Sequence, residues 1–290
     1  MRWRKLEKST NVQDRRGMPS RGVAIGGGGV GIVAVLAIVL GMCGGGADLS
    51  QLASMLEGLQ APAAVPQDVG TVPSDPESVE EREFVQAVLG STETLWVDMF
   101  TGSGVTYQPA ALVLFSGSTN SGCGGANAQV GPHYCPLDQT IYIDLDFFGE
   151  LQARFGAQGG DFAEAYVIAH EVAHHVQQLL GISDDVRQMQ QQYPDDVNEL
   201  SVRIELQADC LAGVWANSIY QRGDVLQPGD IQESLDAAAA VGDDRIQEAI
   251  QGRVTPESWT HGSSEQRMQW FTAGYESGDP NLCDTFSSDL

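Results

Sequence analysis

The chain has 290 residues, 42% of them hydrophobic, which suits one or two domains with a real core and excludes global disorder. Fifteen Lys and Arg stand against 39 Asp and Glu, a formal net charge of −24 that argues against a nucleic-acid partner. The charge is unevenly placed. Seven basic residues (Arg2, Arg4, Lys5, Lys8, Arg15, Arg16, Arg21) and only Glu7 and Asp14 precede residue 22, so a head of +5 is joined to a body of −29.

Residues 1–21 are read as a basic cytoplasmic tail. Residues 22–43 (GVAIGGGGVGIVAVLAIVLGMC) carry no charge and match the roughly 20 residues that a membrane-crossing helix needs. Basic residues before such a helix stay in the cytoplasm, which predicts a single-pass membrane protein with its body outside. A cleaved signal peptide is the rival, with small residues at 44–47, but the apolar stretch exceeds the usual core of roughly 7–15 residues. A lipid-modified Cys43 is disfavoured by the bulky Met42 before it. Gly26, Gly28 and Gly31 spell G-x-G-x-x-G, but no strand precedes them, so a nucleotide site is rejected. The spacing Gly22/Gly26 and Gly27/Gly31 would instead let two such helices pack closely, pointing to a homodimer through this segment.

Residues 44–78, with Pro62, Pro66, Pro73 and Pro76 among Ala, Gln, Ser and Asp, are read as a linker. From 79 to 290 the pattern is that of an α+β domain, helix-rich with a small sheet in its first half. Phe84, Val88, Leu95 and Trp96 recur at helical spacing up to Gly102. Segments 111–115 (ALVLF) and 140–148 (TIYIDLDFF) predict strands, the second by apolar alternation. Helices are predicted over 161–180, 197–221, 229–250 and 264–277. Four cysteines follow residue 43, and an oxidising exterior permits disulfides: Cys123 with Cys135 around a Gly-rich loop, Cys210 with Cys283 stapling the tail. Zinc ligation by these cysteines is the alternative, without a C-x-x-C spacing to favour it.

The helix over 161–180 carries His170-Glu171-Val172-Ala173-His174, with Asp161 and Glu164 as a candidate capping box and Gly181 as a candidate terminal glycine. Residues 170 and 174 lie one turn apart on one face, so both imidazoles can reach one metal ion. Glu171 projects about 100° round the helix, within reach of a metal-bound water. In a chain of this composition H-E-x-x-H arises by chance about 0.005 times, which weighs against a surface histidine cluster. A catalytic zinc keeps three protein ligands and one open position. Gln177 and Leu180 stand where the long form of the motif has Gly and His, and His175 would point away. Glu205 is the expected third ligand, with Asp209 one turn later orienting a ligating imidazole. A solvated helix face is the alternative for this E-x-x-x-D pair. His261, in the turn before the last helix, is a candidate oxyanion donor or an ordinary capping-region histidine. Strand 141–145 would accept an extended peptide if it formed a sheet edge, although a plain core strand is the preferred reading.

HEVAHH (170–175), ELQADCLAGVW (205–215) and HGSSEQRMQWF (261–271), together with RWRKLEKSTNVQDRRG at the start and IYIDLDFF at 141–148, resemble the bacterial putative neutral zinc metallopeptidases. The similarity covers most of the chain outside the linker, and the glutamate-type third ligand resembles the wider gluzincin pattern. The resemblance implies a basic N-terminus, one membrane segment, an external domain, zinc, and hydrolysis of peptide bonds in a peptide or protein substrate. It carries these roles onto His170, Glu171, His174 and Glu205. A cell-wall amidase and a non-catalytic, membrane-tethered zinc domain are the alternatives.

Overall fold

The computed structural model describes residues 1–18, 71–127, 131–155 and 159–288. Its elements in chain order are β1 (Val12–Asp14), α1 (Pro76–Gly102), β2 (Ala111–Phe115), β3 (Ser118–Ser121), β4 (Gly124–Asn127), β5 (His133–Cys135) and β6 (Thr140–Asp144). There follow α2 (Asp146–Phe155), α3 (Asp161–Leu179), α4 (Ile182–Gln192), α5 (Val197–Gln221), α6 (Asp230–Ala240), α7 (Asp243–Gln251) and α8 (Ser264–Ser277). The helix-rich α+β expectation holds for these residues.

One sheet has the order β1-β2-β6-β5, with β1, β2 and β6 parallel and β5 antiparallel to β6; β3 and β4 form a separate hairpin. All five residues of β6 are buried, as suits a strand with both neighbours paired and both faces covered. The long strand expected over 140–148 stops at Asp144, whose carboxylate accepts the N–H groups of Gly117 and Asp146 and turns the chain into α2. The helix expected over 229–250 is two helices. They part at Gly242, the N-cap of α7, where a side chain would strike Ser264 at the start of α8.

The helical layer is organised by close crossings. Gly213 of α5 and Gly274 of α8 face backbone carbonyls of the opposite helix, at Phe271 and Cys210, with no room for a Cβ on either side. This draws α5 and α8 together, and α3 lies against α5, with Phe162 stacked on Trp215 at 5.4 Å. The capping box expected at Asp161 is absent: Gly160 is the N-cap of α3, and Glu233 accepts the Phe162 N–H instead. A complete capping box does start α8, between Ser263 and Gln266. Gly181 follows α3 in the left-handed conformation at φ 81°, as expected. Both disulfides form: Cys123–Cys135 ties the β3–β4 hairpin to β5, and Cys210–Cys283 ties the C-terminal tail to α5.

The boundary expected at residue 21 is corrected. Residues 1–17 form one unit with 72–290. Strand β1 pairs with β2, and Trp3 packs edge-on to Phe84 at 5.8 Å. Arg16 is buried between Asp14, Glu81 and the Ser78 carbonyl. Residues 22–43, with the expected transmembrane helix and helix dimer, lie outside the described residues, as does the linker up to residue 70. Among the described residues no helix is long and apolar enough to cross a membrane.

Candidate metal centre

Helices α3 and α5 bring three ligand-type side chains to one point. The Nε2 atoms of His170 and His174, a turn apart on α3, are 3.2 Å from each other. Across the interface Glu205 of α5 sets its Oε2 3.2 Å from His170 Nε2 and its Oε1 3.4 Å from His174 Nε2. A zinc ion with bonds of about 2.0–2.1 Å in tetrahedral geometry keeps its ligand atoms about 3.3 Å apart, so the observed spacing fits that ion. Three lone-pair atoms converging in a partly buried place also favour a cation or shared protons between them.

The electrostatics follow. Burial pushes the His170 imidazole down, but Asp209 and Glu205 outweigh it and raise it to about 10. His174 is raised in the same way, chiefly by Glu205 against burial. Burial would lift the Glu205 carboxyl, yet the two imidazoles hold it well below the usual range. The site thus favours positive charge at its centre.

Each imidazole is oriented from behind. His170 Nδ1–H donates to Asp209 Oδ1 at 2.9 Å. Asp209 is fully buried and also accepts from Tyr166 Oη (2.5 Å) and from Arg267 Nε (2.8 Å) and its terminal nitrogen (3.0 Å). Burial raises the Asp209 carboxyl, and Arg267 and His170 reverse this to a net lowering. His174 Nδ1–H donates to Gln177 Oε1 at 2.8 Å. His175 points away, as expected: its Nε2–H donates to the Gln108 carbonyl at 2.6 Å, and burial lowers its pKa.

These groups open onto a cleft of about 550 Å³. Glu171 lies on its wall beside His170 and His174, and His261 lines it from the turn before α8. Asp243, at the start of α7, holds that turn: one carboxylate oxygen accepts the N–H groups of Thr260 and His261 at 2.6 Å, and the other lies 3.2 Å from His261 Nδ1. Its hydrogen bond raises the His261 pKa against burial. His133 and Tyr134 of β5 also line the cleft, with the apolar Phe147, Val186 and Ile246. Segment 141–145 lies mostly in β6, which is not an edge; β5 is the edge strand facing the cleft.

The sequence reading missed Tyr166, Gln177, Arg267 and Asp243. Tyr166 lies one turn before His170 and Arg267 one turn before Phe271, so their helical faces were readable, but their shared partner on α5 was not. Asp243 is 18 residues from His261 in a separate helix and left no local signal.

A family model for the putative neutral zinc metallopeptidases matches residues 1–286. The chain belongs to that family. Within this zinc-metallopeptidase family it is 46% identical over 299 residues to the uncharacterized protein YpfJ of Escherichia coli (strain K12), covering 100% of each chain. It is also 48% identical over 222 residues to the uncharacterized protein Rv2575 of Mycobacterium tuberculosis (strain ATCC 25618 / H37Rv), covering 72% of this chain and 73% of that one. No solved structure matches the chain.

Proposed function

We propose that the protein is a membrane-associated, zinc-dependent peptidase whose ligands are His170, His174 and Glu205. The observation that carries this reading is the convergence of His170 Nε2, His174 Nε2 and the Glu205 oxygens within 3.2–3.4 Å on the wall of an open cleft. Zinc held there would polarise the scissile carbonyl and lower the pKa of a bound water toward about 7. Glu171 takes the proton of the attacking water and later returns it to the leaving amine. His261, fixed by Asp243, donates to the oxygen on which negative charge develops. Strand β5 holds an extended peptide along its free edge.

Two disulfides support an oxidising compartment outside the cytoplasm, and the apolar segment 22–43 supports attachment to the membrane there. On this reading the basic head, whose strand β1 pairs with β2, lies in the same compartment as the domain.

The test is Glu171→Gln. Zinc content stays at that of the unaltered protein, and casein cleavage falls by about 10²–10⁴-fold. Unchanged cleavage overturns the role of Glu171. Peptidoglycan fragments assayed beside casein separate a peptidase from a cell-wall amidase, and zinc retained with no cleavage by the unaltered protein would favour a binding domain.

A further inference from the structure

Gln177 stands where the long zinc motif has glycine, and it is fully buried at the back of His174. Its amide is hydrogen-bonded on every side that matters. Nε2 donates one hydrogen to the Ile204 carbonyl at 2.7 Å and the other to Gln207 Oε1 at 3.0 Å. Gln207, also buried, donates from its own Nε2 to the Cys283 carbonyl at 3.0 Å.

The two backbone carbonyls fix the orientation of both amides. A carbonyl only accepts, so Gln207 must present its nitrogen to Cys283, and its oxygen is left for Gln177. Gln177 must then present its nitrogen to Ile204 and Gln207. Turning either amide over would set two oxygens against each other at 2.7–3.0 Å. Only Gln177 Oε1 remains for His174, and an amide oxygen cannot donate. The proton on the 2.8 Å contact therefore belongs to His174 Nδ1, and Nε2 is the atom left to face Glu205 and His170.

We propose that Gln177 is the positioning residue of His174, held by a relay through Gln207 to the C-terminal tail at Cys283. This rests on the zinc-site reading above, and it assigns His174 a neutral counterpart to the Asp209 that His170 uses. Two ligating histidines are thus oriented by different chemistry: one by a carboxylate paired with Arg267, the other by a chain of two amides ending on a backbone carbonyl. An amide adds no charge, so it fixes the ring without further raising the negative charge around Glu205. The relay also joins three separate parts of the chain, α3, α5 and the tail, at the back of one ligand.

Three measurements on the full chain test this: zinc affinity by chelator competition, exchange of the His174 Nδ1 proton with water by NMR in metal-free and zinc-loaded protein, and the folded baseline by circular dichroism. Gln177→Met keeps the length and removes the acceptor. It is expected to weaken zinc binding by about 10–100-fold and to speed exchange of the Nδ1 proton by about tenfold or more in both states. A folded Gln177→Met protein with unchanged proton exchange and zinc affinity overturns the proposal.

Where Gln177→Met does not fold, Gln207→Leu decides, since it removes the relay without touching Gln177. Faster Nδ1 exchange with weaker zinc binding supports the relay, and wild-type values for both overturn it. Should the unaltered protein bind no zinc, the peptidase reading fails, while proton exchange in the metal-free protein still tests the orientation of His174.

Discussion

Asp209 gives the sharpest energetic test of how the centre is built. Replacing it with Asn keeps the volume and one acceptor but removes the charge and turns one acceptor into a donor. The carboxylate accepts four hydrogen bonds, from Tyr166, His170 and twice from Arg267, at 2.5–3.0 Å. The Arg267 side chain is buried with it, at 4% exposure, so the substitution leaves a cation without its counter-ion. Removing one partner of a buried pair costs about 3–5 kcal/mol. For a domain of this size that lowers the melting temperature by roughly 6–20 °C. Loss of the His170 orienting bond weakens zinc binding by about 10–100-fold as well. Urea melts of metal-free protein measure the first effect, and chelator competition the second. The double variant Asp209→Asn/Arg267→Met removes both charges and is expected to be less destabilised than the sum of the two single variants, by about 1–3 kcal/mol. An Asp209→Asn protein within about 1 kcal/mol of the unaltered one, binding zinc equally well, would refute the argument.

Other expectations follow from the same geometry. His170 is held near 10 in the metal-free fold against an ordinary 6.5, so the fold keeps a proton that the unfolded chain has released between those values. Its stabilisation is complete below pH 6.5 and disappears as pH rises through about 10; denaturant midpoints with a chelator present should fall across that window, and a rise would contradict the assignment. Cys210 and Cys283 are 73 residues apart, so replacing both with Ala should cost about 4 kcal/mol by loop entropy, read as the difference in urea stability under non-reducing conditions. The shared compartment of head and domain predicts that cysteines placed at exposed Lys8 and Glu276 react alike with a membrane-impermeant maleimide in intact cells. Protection of one and labelling of the other would separate them.

The candidate metal centre was legible because helical periodicity is local. His170 and His174 needed only a spacing of four, and Glu205 followed once a second helix had to return past the first. What was hidden depended on partners far away in sequence. Arg267 meets Asp209 58 residues earlier, and Gln207 meets Cys283 76 residues later. The head was misread for a related reason. Its Arg and Lys residues suggested a solvated tail, but Trp3 and Leu6 between them are core residues, and Arg16 is neutralised by Asp14 and Glu81. Charge counting registers a guanidinium but not the carboxylates folded against it. The run TIYIDLDFF keeps strand-like alternation past Asp144, where the side chain diverts the backbone into a helix.

The pairing of Val12–Asp14 with Leu112–Leu114 sets an order in time. Strand β1 leaves the ribosome before β2, which follows about 100 residues later, a wait of about 5–20 s at ordinary rates of synthesis. Closing so long a loop is entropically costly, so the opening strand is among the last to be seated. Until then the flank of β2 stays open, and a second chain's opening strand could occupy it. The residues made earlier are therefore the ones that finish the sheet.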